Sequence, residues 1–322
     1  MKTIEFSAYG PPETLQIRDK EKPVPGDGDI LIKVHATTVS SGDVKLRSFD
    51  VGAMYKIPMG LYLGFRKPKR QVLGDDFSGV VESVGKGVDA YKKGDPVFGT
   101  VGFAISSHAE YVCLPENGSY THKPANMTHE EAAAIPFGGH TALYFLNKAN
   151  IRSGQSVLVY GASGSVGTYA VQIARHFGAD VTGVCSTANL AMVKSLGADV
   201  IDYTKTDYTL SGPYDVIYET VGKSSYSGNM HVLTPRGTLI LNAVFKFSWY
   251  LRALASIFSR KRVIMGVAAE RREDMVFLKD LAEAGKLTPI IDRIYSFEEI
   301  AEAHRYVDGG HKKGNVVVRI GS

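Results

Sequence analysis

The chain of 322 residues has 44% hydrophobic residues and sets 37 Lys and Arg against 33 Asp and Glu, for a net charge of +4. It is too long for one typical domain and has enough apolar residues for two cores. Its charge makes no case for a nucleic acid partner. Two widely separated cysteines, Cys113 and Cys185, exclude a four-thiolate zinc site and argue against a disulfide framework. Both are expected as buried thiols of a reducing, cytoplasmic compartment. The opening MKTIEFSAYGPPETL has no apolar core of signal-peptide length. The most apolar stretch, Val244 to Phe258, carries Lys246 and Arg252 and is shorter than the ~20 residues of a bilayer span.

The first part of the chain reads as β-rich. Ile30 to Ala36 alternates apolar and polar residues, as a half-buried strand does. Phe77 to Val84 is a second strand, closed by the Gly85-Lys86-Gly87 turn. Lys92 to Asp95 turns into Pro96 to Gly99, and Ala109 to Leu114 is a further short strand. Such strands with Gly, Asp and Pro punctuation predict a small barrel. From about Asn126 the character changes. Thr128 and Glu131 form a capping box before an alanine-rich helix. Pro136 interrupts it, and a second helix is expected over His140 to Ala149. Strands and helices then alternate: Ser156 to Tyr160, helix Val166 to Phe177, Asp180 to Cys185, helix Leu190 to Leu196, Val200 to Tyr203, Val216 to Glu219 and Thr238 to Asn242. This alternation predicts a doubly wound α/β domain. Helices at Arg272 to Ala284 and Phe297 to Val307 precede a last strand, Val316 to Ile320, expected to return to the first domain.

Gly161-Ala-Ser-Gly164-Ser-Val-Gly167 follows a strand and opens a helix, the setting in which a glycine loop cradles a pyrophosphate on backbone amides. Ala162 stands in the first glycine position of G-x-G-x-x-G. Gly161 opens the loop, Gly164 gives the phosphates clearance, and Gly167 lets helix and strand pack closely. Ser163 and Ser165 add hydroxyls, and Val166 lies in the same helix start. The next strand ends at Cys185-Ser186 without the Asp or Glu that binds a ribose in NAD-binding domains. Ser186 and Asn189 therefore favour the 2′-phosphate of NADP(H). Tyr203 is a candidate to stack near the adenine, with a core aromatic as the other reading.

At these residues the chain resembles the medium-chain dehydrogenase/reductase superfamily, and within it the zinc-free quinone oxidoreductase branch. The resemblance is carried by GDDFSGVVESVGKGVDAYKKGDPVFG (74–99), GASGSVGTYAVQIARHFGADVTGVCST (161–187) and SLGADVIDYT (195–204). Weaker matches are VHATTVSSGDVKLR (34–47), Thr141-Ala142 and KKGNVVVRI (312–320). It implies a GroES-like β-barrel domain over 1–125 and 266–322, a Rossmann domain over 126–265, and a cleft between them. It also implies that Thr141, Val221, Asn242 and Asn315 contact the cofactor.

The zinc enzymes of the superfamily carry a cysteine where Ser40 stands, a histidine where Asp75 stands and a second cysteine near Phe137, so the resemblance implies no metal site. Without a Lewis acid, alcohol oxidation is disfavoured, and hydride transfer to a quinone or α,β-unsaturated carbonyl is the expected reaction. The substrate is then a small lipophilic carbonyl compound or quinone. Asp43, Lys45 and Tyr55 are the candidate catalytic residues. Lys45 stands where the zinc enzymes have a proton-relay histidine; a solvated lysine paired to Asp43 is the other reading. Tyr55 and Tyr62 fall in an expected substrate-rim loop. Asp75 and Asp76, as neighbours in an extended run, are expected to face opposite ways. The stretch 245–262 ends in Arg260-Lys261-Arg262 and reads as a core helix with a basic turn, or as a peripheral membrane contact. A monomer or homodimer is expected. A non-catalytic NADPH-binding sensor or scaffold is the alternative function. An S-adenosylmethionine domain is disfavoured, since the second strand lacks the acidic tip such domains use.

Overall fold

The computed structural model describes residues 1–102, 105–242, 249 and 260–321; side chains 53–55 also lie outside the described residues. Backbone contacts divide the chain into two units, Met1–Phe137 with Glu270–Ser322, and Gly138–Ala269.

The first unit opens with β1 (Lys2–Phe6) and β2 (Leu15–Asp19), paired antiparallel. Then follow β3 (Asp29–Thr38), α1 (Ser41–Ser48), α2 (Gly52–Leu63), β4 (Asp76–Val84), β5 (Pro96–Thr100), β6 (Tyr111–Pro115), β7 (Tyr120–His122) and α3 (His129–Ala133). The rim expected as a loop at Tyr55 and Tyr62 is the helix α2. Gly52, Pro58 and Gly60 are helix breakers by propensity, and they disguise it. Ile4, Phe6, Ile32, Phe77, Val97 and Tyr120 are buried in the core of this unit. Cys113 is only half-buried, because it falls on the outer phase of the β6 alternation; Cys185 is buried.

α4 (Pro136–Ala149) leads into β8 (Ser156–Tyr160), α5 (Ser165–His176), β9 (Asp180–Cys185), α6 (Leu190–Ser195), β10 (Asp199–Asp202), β11 (Tyr214–Glu219), α7 (Tyr226–Val232), β12 (Leu233–Leu241) and β13 (Arg262–Met265). Pro136 does not merely interrupt; it stands first in α4, where its missing N–H costs nothing. The six strands form one parallel sheet in the order β10-β9-β8-β11-β12-β13. This is the doubly wound 3-2-1-4-5-6 arrangement, with the strand order reversing at β8 and β11. Leu158, Ile217 and Leu239 fill its core. Of the apolar stretch 245–262, residues 245–248 and 250–259 lie outside the described residues. Trp249 is buried edge-on to Tyr226, with ring centroids 5.8 Å apart. No helix among the described residues is long and apolar enough to cross a membrane.

The chain closes with α8 (Arg272–Glu283), β14 (Ile291–Tyr295), α9 (Ile300–Asp308) and β15 (Asn315–Arg319). β15 pairs antiparallel with β3 and parallel with β14, completing the sheet β14-β15-β3-β4-β5-β7.

Thr128 and Glu131 form the expected capping box, with Glu131 N–H donating to Thr128 Oγ1 at 3.2 Å and Thr128 N–H to Glu131 Oε2 at 2.8 Å. The box starts α3 against β3 and β4. His129 thereby stacks on His35, ring centroids 4.7 Å apart, and its Nδ1 lies 2.8 Å from Ser78 Oγ. Ser78 gives its own proton to the Val97 carbonyl, so His129 is the donor to Ser78. Burial, then the charges of His35 and Lys123, pulls His129 down to about 4; burial and Lys33 lower His35. Glu130 opposes both shifts. Both imidazoles thus protonate more readily in the unfolded chain, near pH 6.5. Their contribution to stability is complete above that pH and is lost as pH falls toward 4. We expect the melting temperature to fall between pH 7 and pH 5. In His35→Gln/His129→Gln the fall should shrink by about 2–4 °C, measured by calorimetry.

Candidate functional site

In the parallel-sheet unit the predicted loop lies at the carboxyl ends of the strands, where the strand order reverses. Gly161 takes φ +84°, and a Cβ there would stand 2.2 Å from Val221 Cγ2. At Gly167 a Cβ would meet the Gly161 carbonyl oxygen at 2.1 Å and Ala162 Cα at 2.8 Å. Both glycines are therefore demanded by the fold itself. Gly164 differs. Its φ is −82°, and a Cβ would meet only the Gly161 oxygen, at an ordinary 3.5 Å. Nothing in the protein requires glycine there, which fits a surface kept clear for a ligand. Gly164 is also the N-cap of α5, without a capping side chain. The first amides of the helix, on Ser165, Val166 and Gly167, therefore suit an anion. Ala162 is fully buried and packs toward Gly183 of β9, which accounts for the departure from the strict fingerprint.

The tip of β9 is joined to this loop. Asn189 Nδ2 donates to Ser163 Oγ at 3.1 Å and to Ser186 Oγ at 3.3 Å. Its Oδ1 is buried without a hydrogen-bond partner, an acceptor that a ribose hydroxyl would satisfy. Ser163, Ser186 and Asn189 thus form one cluster. Tyr203 is 53% exposed beyond it, so it is not a core aromatic. The sequence reading missed Asp202. It ends β10 opposite Cys185, putting a carboxylate beside the tip that had seemed free of one. Asp202 accepts from Thr187 Oγ1 at 2.5 Å and from Thr204 Oγ1 at 2.7 Å, and Lys205 lies 3.8 Å away. These bonds hold its carboxyl below the usual range. Register across neighbouring strands, which no single-strand pattern contains, brings it there.

Around the sheet tips, Glu219 is fully buried and accepts from the amides of Val221 and Gly222 at 3.1 and 2.6 Å. Asn242 N–H donates to the Glu219 carbonyl at 3.0 Å. The fully buried Tyr218 donates its hydroxyl proton to the Thr141 carbonyl at 3.3 Å.

In the barrel unit, Asp43 is buried and committed. Its Oδ2 accepts from Ser40 N–H at 2.8 Å and Ser40 Oγ at 2.6 Å, and its Oδ1 from Gly74 N–H at 3.1 Å. This is the capping box that starts α1. Lys45, two residues on, is half-buried; burial lowers its pKa, and the charge of Asp50 opposes the shift. The side chain of Tyr55 lies outside the described residues. Asn315 is buried, with its amide donating to the Ile290 carbonyl at 3.2 Å.

Asp75 and Asp76 take different partners, as neighbours in an extended run do, yet they influence each other electrostatically. Strand geometry begins at Asp76, which is buried, whereas Asp75 is half-buried. Asp76 accepts from Thr38 Oγ1 at 2.6 Å and Phe137 N–H at 2.9 Å, whereas Asp75 accepts from Gly102 N–H at 3.1 Å. Burial first, then the neighbouring carboxylates Asp76, Glu270 and Asp43, raises Asp75 well above its ordinary value. Burial likewise pushes Asp76 up to about 8, opposed by its bonds from Thr38 and Phe137, so the two carboxyls titrate as a coupled pair. Lys312 belongs to the same electrostatic neighbourhood. Burial brings it down to about 8, opposed by Asp292 and Asp76.

The chain is matched by two family models, an alcohol dehydrogenase GroES-like domain over residues 26–151 and a zinc-binding dehydrogenase domain over 196–318. It is 32% identical to 2-methylene-furan-3-one reductase of Solanum lycopersicum, over 99% of this chain and 79% of that protein. It is 31% identical to quinone oxidoreductase of Sus scrofa, over 98% and 95%. Among solved structures, the quinone oxidoreductase from Coxiella burnetii superposes with a TM-score of 0.89 at 30% identity, over 100% of this chain and 99% of that one.

Two of the loop glycines, Gly167 and Gly164, separate experimentally. Gly167→Ala is expected to cost about 1–3 kcal/mol through overpacking, seen as a lower melting temperature. Gly164→Ala should keep stability within about 1 kcal/mol while cofactor affinity, read by fluorescence titration, falls at least about tenfold, the loss of ~1.4 kcal/mol.

Proposed function

The chain belongs to the medium-chain dehydrogenase/reductase superfamily, and on that premise we propose that it is a zinc-independent, NADPH-dependent reductase of quinones or α,β-unsaturated carbonyl compounds. As an oxidoreductase of that superfamily it uses a nicotinamide cofactor and a small-molecule substrate. The observation that carries the finer reading is the fate of the zinc-ligand positions. The Ser40 hydroxyl is spent on the Asp43 capping box, and Phe137 offers only a backbone N–H, to Asp76. These groups do not fit a tetrahedral zinc site, although one matching family model is described as zinc-binding. Among the described residues no cluster of three or more His, Cys, Asp or Glu is placed to hold a metal. A substrate whose carbon is already electron-poor suits a site built this way.

The residues that would hold the cofactor are the amides of Ser165, Val166 and Gly167 for the pyrophosphate, with Ser163 beside them. Ser186 and Asn189 would take the 2′-phosphate and ribose, Tyr203 the adenine, and Thr141, Val221 and Asn242 the nicotinamide end. Bound there, the cofactor supplies a hydride to the electron-poor carbon. The chain's own work is to hold it, to stabilise the oxygen on which charge develops, and to return a proton. Lys45 is suited to the oxyanion role, since burial makes its proton easier to give. Asp43 positions Lys45 by fixing the start of α1. Asp75, whose carboxyl is raised well above its ordinary value by burial and the neighbouring carboxylates, is a candidate reserve for the final protonation. Tyr55 remains a candidate donor. Asp202 favours a second reading, in which its carboxylate binds ribose hydroxyls and NADH is preferred. The threonine bonds and Lys205 that already engage this carboxylate weigh against it.

Turnover tests the proposal. Oxidation of NADPH by the purified protein, followed optically across a panel of quinones and enones, should occur with at least one class and be unchanged by EDTA. Lys45→Met should lower kcat about 100-fold with cofactor binding intact. Cofactor binding without turnover on any panel member would favour the sensor role instead.

A further inference from the structure

An exposed apolar strip runs along α2 and the turn that follows it. Ile57 is 67% exposed, Leu61 66% and Phe65 55%. Ile57 and Leu61 lie four residues apart on one helix face. Phe65 stays with them because its ring rests on Gly60, where a Cβ would stand 2.2 Å from it. The helix is anchored by its other side. Leu63 is buried, and the Tyr9 hydroxyl shares its proton between the Leu63 and Gly64 carbonyls at 3.1 and 2.7 Å. The exposed face is therefore presented by a fixed element.

Cations rim this strip. Lys56, Arg66, Lys67, Lys69 and Arg70 are all exposed, and residues 51–74 contain no Asp or Glu. These five positive charges exceed the net +4 of the whole chain. Lys69 folds back to the Leu61 carbonyl at 3.1 Å and Arg70 over the Tyr62 ring at 4.9 Å, whereas Arg66 and Lys67 extend into solvent.

A single exposed leucine needs no explanation; a strip of three bordered only by cations does. An apolar protein face would cover the strip and leave the cations unopposed. A bilayer surface bearing anionic lipid meets both demands, with apolar side chains at the acyl boundary and Lys and Arg at the phosphate level. We propose that α2 and the turn 65–70 dock this protein peripherally on anionic lipid surfaces. The inference rests on this face alone and is independent of the proposed reduction chemistry.

Co-sedimentation of the full chain with vesicles tests it, using pure phosphatidylcholine and an equal mixture of phosphatidylcholine and phosphatidylserine. Binding is expected to the mixed vesicles and to weaken as salt is raised. At about fivefold per cation, Arg66→Gln/Lys67→Gln should lower the partition by about 30-fold. Ile57→Ser/Leu61→Ser should also weaken it, in protein whose circular dichroism and melting temperature are unchanged. The proposal is overturned if wild-type protein shows no preference for anionic vesicles. It is equally overturned if binding is lost in Arg260→Gln/Arg262→Gln and kept in Arg66→Gln/Lys67→Gln. A dimer that Leu61→Ser dissolves, in protein that ignores vesicles, would assign the face to self-association and refute lipid docking.

Discussion

The parallel-sheet unit depends on one close approach, the carbonyl oxygen of Gly161 against the backbone of Gly167. A Cβ at 167 would stand 2.1 Å from that oxygen, so only glycine lets α5 begin where it does. The turn that makes this approach needs the left-handed conformation of Gly161. Thr220 secures the same turn from the neighbouring strand, its hydroxyl donating to the Tyr160 carbonyl at 2.8 Å. With the turn fixed, the uncapped first turn of α5 is held at the strand tips, and the Ser163–Asn189–Ser186 cluster joins it to the tip of β9. The placement of these helix amides is thus a consequence of packing, and Gly164 is the one loop glycine that packing leaves unexplained.

Much of this was legible in the sequence because buried parallel strands and glycine turns are local signals. Ser156–Tyr160 and Asp180–Cys185 are the strands that apolar runs predict, and Thr128 with Glu131 forms the capping box its spacing announces. What was not legible depends on neighbours distant in sequence. Asp202 reaches the tip of β9 only through the register of β10 on β9. Asp75 and Asp76 are shifted by groups the local pattern does not contain, since Glu270 and Lys312 arrive from the far end of the chain. α2 was hidden by its own Gly and Pro residues, and with it the exposed apolar face.

The barrel unit contributes charge control more than a ready-made catalytic pair. Burial raises the Asp75 and Asp76 carboxyls and lowers Lys312, so each shift favours the neutral form of its group. Lys45 is loosened by burial in the same way, while Asp43 is spent on holding the start of α1. The groups differ in their hydrogen-bond partners: Asp43 accepts from Ser40 and Gly74, Asp76 from Thr38 and Phe137, and Asp75 from Gly102.

The central claim is that the loop and the β9 tip together select a 2′-phosphorylated dinucleotide. Calorimetric titration of the purified protein with NADPH and with NADH tests it most directly. The account predicts one site per chain and an affinity for NADPH at least about tenfold higher, a difference of ~1.4 kcal/mol. Equal affinity, or a preference for NADH, would contradict it and assign the ribose to the Asp202 carboxylate.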